Sequence, residues 1–195
     1  MSNVYEKCPI LENNNYMIRL ISKEDTKDLL KVYSDKNALP FFNSDGCNGH
    51  NFYCTKENDM YNAINIWRTE YDKKSFVRFS IIDKRNQNVI GSIELFNRIS
   101  DDFFNGCGLM RLDVRSDYEC REALSEIMSI IINPSYELFQ CTTIATKAAI
   151  YAVERIEALK DIGFERTKEY LIGYDGTLYG DYWVIKNSID NMSYS

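Results

Sequence analysis

The chain has 195 residues, 45% of them hydrophobic and 27% charged, with a formal net charge of −6 at pH 7. This length and composition are typical of one globular domain with a substantial core of its own. The acidic balance argues against a nucleic-acid surface and against binding to an anionic membrane. Because no apolar run reaches the roughly 20 residues of a membrane span and no signal pattern opens the chain, we expect a cytoplasmic protein.

The cysteines give little sign of a metal site. Six are scattered along the chain without a C-x-x-C pair, at positions 8, 47, 54, 107, 120 and 141. His50 is the only histidine, so a zinc cluster would need thiolates from distant segments. We therefore interpret the cysteines as reduced, small core residues and expect no metal. A nucleophilic pair of Cys47 with His50 stays open.

Hydrophobic periodicity predicts the elements of the first half. After a polar lead-in over residues 1–15, alternation predicts a strand at 16–20, and a capped helix follows at 22–34. A second helix is predicted at 56–71. Between the two helices, residues 39–53 combine glycine and asparagine with aromatic side chains, which predicts a loop that covers a cleft as a lid. Its aromatic side chains, which would form the lid, are Phe41, Phe42, His50, Phe52 and Tyr53.

The middle of the chain carries the strongest pattern. Strands are predicted at 76–82 and 89–96, joined by a turn at 84–88, and a buried strand at 109–114 is predicted to be central. The apolar side chains of Leu124, Ile127, Met128 and Ile131 have helical spacing, and Asn133-Pro134 is predicted to end that helix. A strand that enters a helix through a short turn directs free backbone N–H groups at one point, where phosphate groups bind in many proteins.

The last third alternates again between strands and helices. A strand is predicted at 141–146, and a helix at 150–162 ends at Gly163. Two final strands at 164–172 and 178–185 surround the turn Asp175-Gly176. The order of elements is therefore β-α-α-β-β-β-α-β-α-β-β.

This order, with LDVRSDY at 112–118 before a helix and ALKDIGF at 158–164 before a strand, resembles the GNAT superfamily of N-acetyltransferases. The similarity is greatest to the branch of ribosomal-protein alanine acetyltransferases. It covers roughly residues 16–186 and includes Ile162-Gly163-Phe164 and Asp181-Tyr182-Trp183. The resemblance implies one α/β domain at 1–195, with a mixed central sheet of about seven strands flanked by helices.

The resemblance also implies an activity, the transfer of acetyl from acetyl-CoA to a primary amine of a small molecule or a peptide or protein N-terminus. Such an amine must lose a proton before it attacks, so a carboxylate is expected near the reacting carbon. Glu94 is the predicted base, with an exposed strand residue or an ion-pair partner as its alternative roles. Tyr174 is the predicted acid, with Tyr179 or another of the 14 tyrosines as the alternative.

The cofactor residues follow from the same resemblance. The backbone of Leu112, Asp113 and Val114 is expected to hold the pantetheine arm. The phosphate loop is expected at the turn that follows, with these residues: Arg115, Tyr118, Cys120, Arg121, Glu122 and Ala123.

This phosphate loop departs from the family pattern of Gln/Arg-x-x-Gly-x-Gly/Ala. The two small positions fall on Cys120 and Glu122, and the carboxylate of Glu122 would repel a pyrophosphate by on the order of 1 kcal/mol in water at ~4 Å. Ser116 and Glu119 match a capping box, which would satisfy the helix N-terminus without a phosphate. We therefore expect weak or absent binding of acetyl-CoA. The alternative function is a catalytically inactive GNAT-fold binding or regulatory module. The sequence leaves open whether two copies form a homodimer through the last strands.

Overall fold

The computed structural model describes residues 3–47 and 49–187. In these residues the strands are β1 (Leu11–Glu12), β2 (Tyr16–Leu20), β3 (Val77–Asp83), β4 (Asn88–Asn97), β5 (Gly108–Val114), β6 (Thr143–Lys147), β7 (Glu165–Arg166), β8 (Leu171–Ile172), β9 (Leu178–Tyr179) and β10 (Tyr182–Lys186). The helices are α1 (Thr26–Tyr33), α2 (Glu57–Asp72), α3 (Arg121–Leu138) and α4 (Val153–Ile162).

Eight strands form one mixed sheet in the order β1-β2-β3-β4-β5-β6-β10-β7. The pairs from β1 to β5 are antiparallel, β5 and β6 are parallel, and β10 pairs antiparallel with both β6 and β7. The predicted α/β architecture with β5 inside the sheet is confirmed. The sheet has one strand more than the predicted seven because the N-terminal segment adds β1 at its edge.

The helices cover the two faces of the sheet. Leu29 and Val32 of α1 pack with Ile64 and Trp67 of α2 on one face. On the other face, the predicted stripe of α3 packs with Ala158 and Leu159 of α4 against the sheet. All four predicted stripe residues of α3 are buried, which confirms the face that the spacing indicates.

The N-terminal segment differs from the predicted polar lead-in. Val4 is fully buried in the main core, and the short strand β1 extends the sheet at its edge by pairing with β2. Tyr71 of α2 donates a hydrogen bond to the Val4 carbonyl at 2.9 Å, which ties this segment to the rest of the fold. A two-residue strand and one buried valine are too short to produce a periodic signal.

The predicted end of α3 at Asn133-Pro134 is wrong, because the helix continues to Leu138 with Pro134 inside it. Proline has no N–H, so the Ile130 carbonyl four residues earlier loses its helical donor. Packing of the residues on both sides of Pro134 outweighs this loss, since Ile131, Ile132 and Ser135 are buried.

The final hairpin forms around Gly176, as predicted, but its strands are interrupted. β8 pairs with β9 as a separate two-stranded ribbon, while β7 pairs with β10 in the main sheet. Asp181 has a φ of 63°, and this left-handed backbone lies between β9 and β10. The left-handed Gly163, with a φ of 101°, ends α4 as predicted. Within the described part of the chain, the helices are too short or too polar to cross a bilayer.

Replacement of Pro134 by alanine tests the cost of the proline within α3. The change restores an N–H for the Ile130 carbonyl and removes the ring from the preceding turn, so we expect the free energy of unfolding to rise by about 1–3 kcal/mol. Chemical denaturation measures it. The matched control is Pro40→Ala, in the first turn of the 3₁₀ segment Leu39–Phe41, where proline is compatible with the backbone. If Pro134→Ala lost as much stability as Pro40→Ala, this account would be contradicted.

Candidate functional site

The two parallel strands at the centre of the sheet separate after three paired residues. Gly108, Leu109 and Met110 of β5 lie opposite Ile144, Ala145 and Thr146 of β6. Beyond Met110, β5 continues beside β4 up to Val114. β6 instead ends at Lys147, and the next N–H, of Ala148, donates to the Asp181 carbonyl at 3.0 Å. One side of β5 is therefore open to side chains over residues 111–114, which include the predicted pantetheine positions Leu112, Asp113 and Val114.

A buried ionic cluster lies on the sheet face that α1 and α2 cover. Glu94 accepts hydrogen bonds from Arg78 at 2.5 Å and from Arg111 at 2.8 Å. Arg78 also contacts Asp113 at 3.4 Å, and the hydroxyl of Tyr33 donates to Asp113 at 2.9 Å. The Arg78 guanidinium lies 4.1 Å from the ring centroid of Trp67. Of the roles considered for Glu94, the exposed strand residue is excluded, since the residue is only 4% exposed.

The environment of Glu94 lowers its basicity. Burial by itself raises the pKa of the Glu94 carboxyl, but the charges and hydrogen bonds of Arg78 and Arg111 outweigh burial and lower the pKa below the usual range of glutamate. To accept a proton from an amine, Glu94 must first release Arg111. The predicted role of Glu94 as a base therefore stays a prediction that needs this rearrangement.

The loop 39–53 lies on the same face, where the sequence predicts a lid. Phe42 and Phe52 contact the ring of Tyr33 at centroid distances of 5.3 and 6.3 Å. The Asp45 carbonyl accepts a hydrogen bond from Arg111 at 2.7 Å, and the Asp45 carboxylate binds the Lys147 ammonium at 2.7 and 2.8 Å. The loop thus reaches the point where β5 and β6 separate, and it is held there by charge.

The predicted acid, Tyr174, lies in a different environment, on the surface of the protein. Its side chain is fully exposed in the turn between β8 and β9, whereas Tyr182 of β10 is fully buried on the face that carries Asp45. The Tyr182 hydroxyl donates to Asp45 at 3.1 Å, and burial together with the Asp45 charge raises the pKa of Tyr182. The sequence contained a signal for Tyr182 in the Asp181-Tyr182-Trp183 match, but not for its contact with Asp45.

The thiol of Cys47 also lies at this site. Arg111 approaches its sulfur at 3.7 Å, and the thiol donates to the Asp45 carbonyl at 3.7 Å. Burial raises the pKa of Cys47, which opposes thiolate formation. Its neighbour His50 is exposed. Among the described residues, no group of three or more histidine, cysteine or acidic side chains is arranged to hold a metal ion.

The turn after β5 does not form the predicted capping box. Ser116–Tyr118 is a short 3₁₀ segment, and α3 begins at Arg121 with Cys120 as its N-cap residue. The Glu119 carboxylate does not turn back to Ser116, because Arg155 of α4 binds it through two hydrogen bonds of 2.7 and 2.6 Å. The prediction failed because an arginine more than thirty residues away competes for that carboxylate.

Carboxylates of the chain itself bind N–H groups of this turn. The Ser116 N–H donates to Asp35 at 2.8 Å, and the Arg121 N–H at the start of α3 donates to Glu154 at 3.0 Å. The structure thus places two anionic groups on backbone donors where the sequence predicts a phosphate. Glu122, the predicted obstacle, is exposed in the first turn of α3, and Ala123 is buried beside it.

The arginines of the turn are paired as well. Arg115 binds Asp117 at 2.6 and 2.7 Å, and Arg121 binds Asp161 of α4 at 2.6 Å through each of two nitrogens. Tyr118 contributes its hydroxyl to Asp83 at 2.7 Å. The predicted cofactor residues thus lie together at one turn, yet both cations that would attract a pyrophosphate already bind a carboxylate.

Arg155 fills the space between the separated strands. Its guanidinium donates to the Leu112 carbonyl at 2.8 Å while it binds Glu119, and the residue is 3% exposed. Leu112 is one of the positions predicted to hold a pantetheine arm. With the side chains in these positions, the site does not fit acetyl-CoA. Arg155 is hydrogen-bonded to the Leu112 carbonyl, and Glu154 is hydrogen-bonded to the first N–H of α3.

Comparison with solved structures defines the fold as that of the GNAT acetyltransferases. A ribosomal-protein-S5-alanine acetyltransferase from Vibrio fischeri is similar to this chain with a TM-score of 0.69 and 16% identity, over 92% of this chain and 97% of that one. A GNAT-family acetyltransferase from Bacillus anthracis gives 0.66 and 13%, over 91% and 98%. A spermidine N-acetyltransferase from Vibrio cholerae, solved with CoA and spermine, gives 0.63 and 13%, over 90% and 98%.

Sequence comparison gives no such relatives. The chain matches no protein-family model and no curated protein sequence. At identities of 16% and below, the structural likeness establishes the GNAT fold, and the predicted resemblance in fold is confirmed.

Replacement of Glu94 by glutamine tests the ionic cluster. The change leaves Arg78 and Arg111 without a neutralising carboxylate between them, and removal of one partner from a buried ion pair costs about 3–5 kcal/mol of unfolding free energy. Urea denaturation at neutral pH measures this loss. In the matched control Glu157→Gln, on the exposed pair of α4 with Lys160, we expect a change within about 0.5 kcal/mol. Equal stability of both variants would contradict the assigned role.

The stability difference between the wild type and Glu94→Gln is also expected to depend on pH. The pKa of Glu94 is lowered in the folded protein, so its stabilisation is fully present above the unfolded-state pKa of about 4.3 and is lost as the pH falls through the lower folded-state value. The difference in unfolding free energy between the wild type and Glu94→Gln should therefore shrink below about pH 4. A difference that grows on acidification would show that the pKa of Glu94 is raised rather than lowered in the folded protein.

Proposed function

We propose that the protein is an acyl-CoA-dependent N-acetyltransferase that acts on a primary amine of a small molecule or of a peptide or protein N-terminus. The observation that carries this proposal is the separation of β5 from β6 directly before the N-terminus of α3, within a GNAT fold. A backbone that is free of its neighbouring strand offers amide groups to an extended arm, and a helix N-terminus attracts phosphate groups. One of the similar structures is named a ribosomal-protein-S5-alanine acetyltransferase, and another a spermidine N-acetyltransferase.

Binding of acetyl-CoA in this chain requires a rearrangement at α4. The Leu112 carbonyl and the Arg121 N–H both have partners on the first turn of that helix, Arg155 and Glu154. In this closed arrangement neither backbone group is free to bind the cofactor. The function proposed is that of the open form, in which these two side chains have moved.

The acceptor side supports an amine as substrate. Asp45 holds the ammonium of Lys147, and the same ammonium lies 5.7 Å from the ring centroid of Tyr179. A carboxylate combined with an aromatic face is an arrangement that binds primary ammonium groups. In our proposal the acceptor amine displaces Lys147 from Asp45, and Tyr182 is the neighbouring hydroxyl that donates to the same carboxylate.

Specific contacts favour a second candidate, a non-catalytic binding or regulatory module with the GNAT fold. The Arg155–Glu119 pair is buried and bidentate, and breaking a buried pair is costly. Cys120 and Glu122 replace the small residues of the phosphate loop. These features favour a protein in which the fold persists and the cofactor does not bind.

One set of measurements separates the two candidates. Titration calorimetry of the wild type with acetyl-CoA and, separately, with CoA reports binding, and a panel of polyamines, aminoglycosides and N-terminal peptides with saturating acetyl-CoA reports acetyl transfer by mass spectrometry. We expect weak cofactor binding and measurable transfer to at least one amine. In Asp45→Asn we expect the rate to fall about tenfold or more, because the charge that holds the ammonium is lost.

The matched control for Asp45→Asn is Asp101→Asn, an exposed loop carboxylate. Thermal melting of both variants verifies that they are folded. If the folded wild type acetylates no amine of the panel, the enzyme proposal is contradicted and the binding module is favoured.

A further inference from the structure

Helix α4 is joined to β5, to the turn after it and to the start of α3 by four polar contacts, which we name the α4 clamp. Arg155 binds Glu119 and the Leu112 carbonyl, Glu154 accepts from the Arg121 N–H, and Asp161 binds the Arg121 guanidinium. Each of the four involves a charged side chain, and each joins α4 to the stretch from Leu112 to Arg121. The clamp therefore closes, from one side, the space beside Leu112–Val114 and the turn that follows, which we call the cofactor groove.

Two contacts of the clamp use the backbone groups that a CoA molecule would need. A carboxylate on the first N–H of α3 occupies the place where the positive end of the helix attracts an anion. A guanidinium on the Leu112 carbonyl occupies an acceptor that would otherwise face the amide N–H groups of an extended arm. In charge and in hydrogen-bonding direction, Glu154 and Arg155 thus act as an internal substitute for a bound ligand.

The two contacts differ in how easily a ligand displaces them. Glu154 is exposed on the surface of α4, so its carboxylate exchanges the Arg121 N–H for water at little cost. The side chains of Arg155 and Glu119 are 4% and 5% exposed, and they form two short hydrogen bonds. A pair that is this well buried leaves its place only if both charges find new partners.

We infer that Glu154 and Arg155 compete with CoA for the backbone of Leu112 and Arg121, so that the α4 clamp sets the affinity of the protein for its cofactor. This inference rests on the groove assigned under the proposed function. It explains why acidic side chains lie around a strand-to-helix turn of the kind that binds phosphate groups. Arginines of the same chain bind these carboxylates, and the pairs keep the groove closed. Ligand binding and release of the clamp are then a single linked equilibrium.

The test measures CoA affinity by titration calorimetry in variants that open the clamp without leaving a buried charge. In Glu119→Gln with Arg155→Met, both charges of the buried pair are removed together, and methionine cannot donate to the Leu112 carbonyl. In Glu154→Gln, the exposed side chain keeps an amide oxygen that can accept from the Arg121 N–H but loses the charge that the N-terminus of α3 attracts, so the contact is weakened and no buried group loses a partner. The matched control is Glu157→Gln, which removes an acidic charge from the same helix outside the clamp.

We expect CoA to bind Glu154→Gln severalfold more tightly than the wild type, and a triple variant that combines all three changes about tenfold or more tightly. The control should bind as the wild type does. Amide hydrogen exchange supplies a second readout that is independent of catalysis. Saturating CoA should increase exchange in the first turn of α4 in the wild type, because binding releases the clamp.

Unchanged CoA affinity in both Glu154→Gln and the triple variant would overturn the inference, and so would an equal gain in Glu157→Gln. The failure of this inference differs from the failure of the proposed function. Tighter CoA binding in the variants without acetylation of any amine supports the clamp and removes the enzyme. Acetylation by the wild type with unchanged affinity in the variants retains the enzyme and removes the clamp.

Discussion

The ion pair between Arg155 and Glu119 is the contact on which the arrangement of the centre depends. Parallel strands share a continuous ladder of hydrogen bonds, and β5 leaves that ladder while its far half is still buried. A buried carbonyl at Leu112 then needs a donor from elsewhere, since an unpaired acceptor is costly. Arg155 supplies it, and Glu119 neutralises the guanidinium that is thereby brought inside. The position of α4 beside α3 follows from this requirement.

The opposite face of β5 meets a similar constraint in a different way. Arg78 is buried and Arg111 is half-buried next to Glu94 and Asp113, and each charge is compensated by a neighbouring strand. Burial raises the pKa of Asp113, whereas the two guanidiniums lower the pKa of Glu94. Such a cluster fixes the register of β3, β4 and β5, because a shift by one residue would bury these charges without partners. The cluster also holds the loop 39–53 in place, because Arg111 donates a hydrogen bond to the Asp45 carbonyl.

The periodic elements could be predicted because their signals are local. The stripe of α3, the turn at Asp175-Gly176 and the left-handed Gly163 each depend on residues within one or two turns, and all three are present in the structure. Pro134 shows the limit of such signals. Its local preference is to end a helix, but the buried residues that surround it hold the helix together to Leu138. Glu119 shows the same limit, since its local pattern indicated a cap and a distant arginine decided its partner.

The sequence by itself determined the fold class, the position of β5 inside the sheet and the short connection from β5 into α3, because these follow from hydrophobic spacing along the chain. Only the tertiary structure decided which side chains meet at that turn and across the sheet. Glu154 and Arg155 of α4, and Asp45 with Lys147 and Tyr182, come from segments separated by thirty to more than a hundred residues. The energy of a buried charge depends on which counter-charge lies within a few ångströms, and that distance is set by packing rather than by sequence spacing.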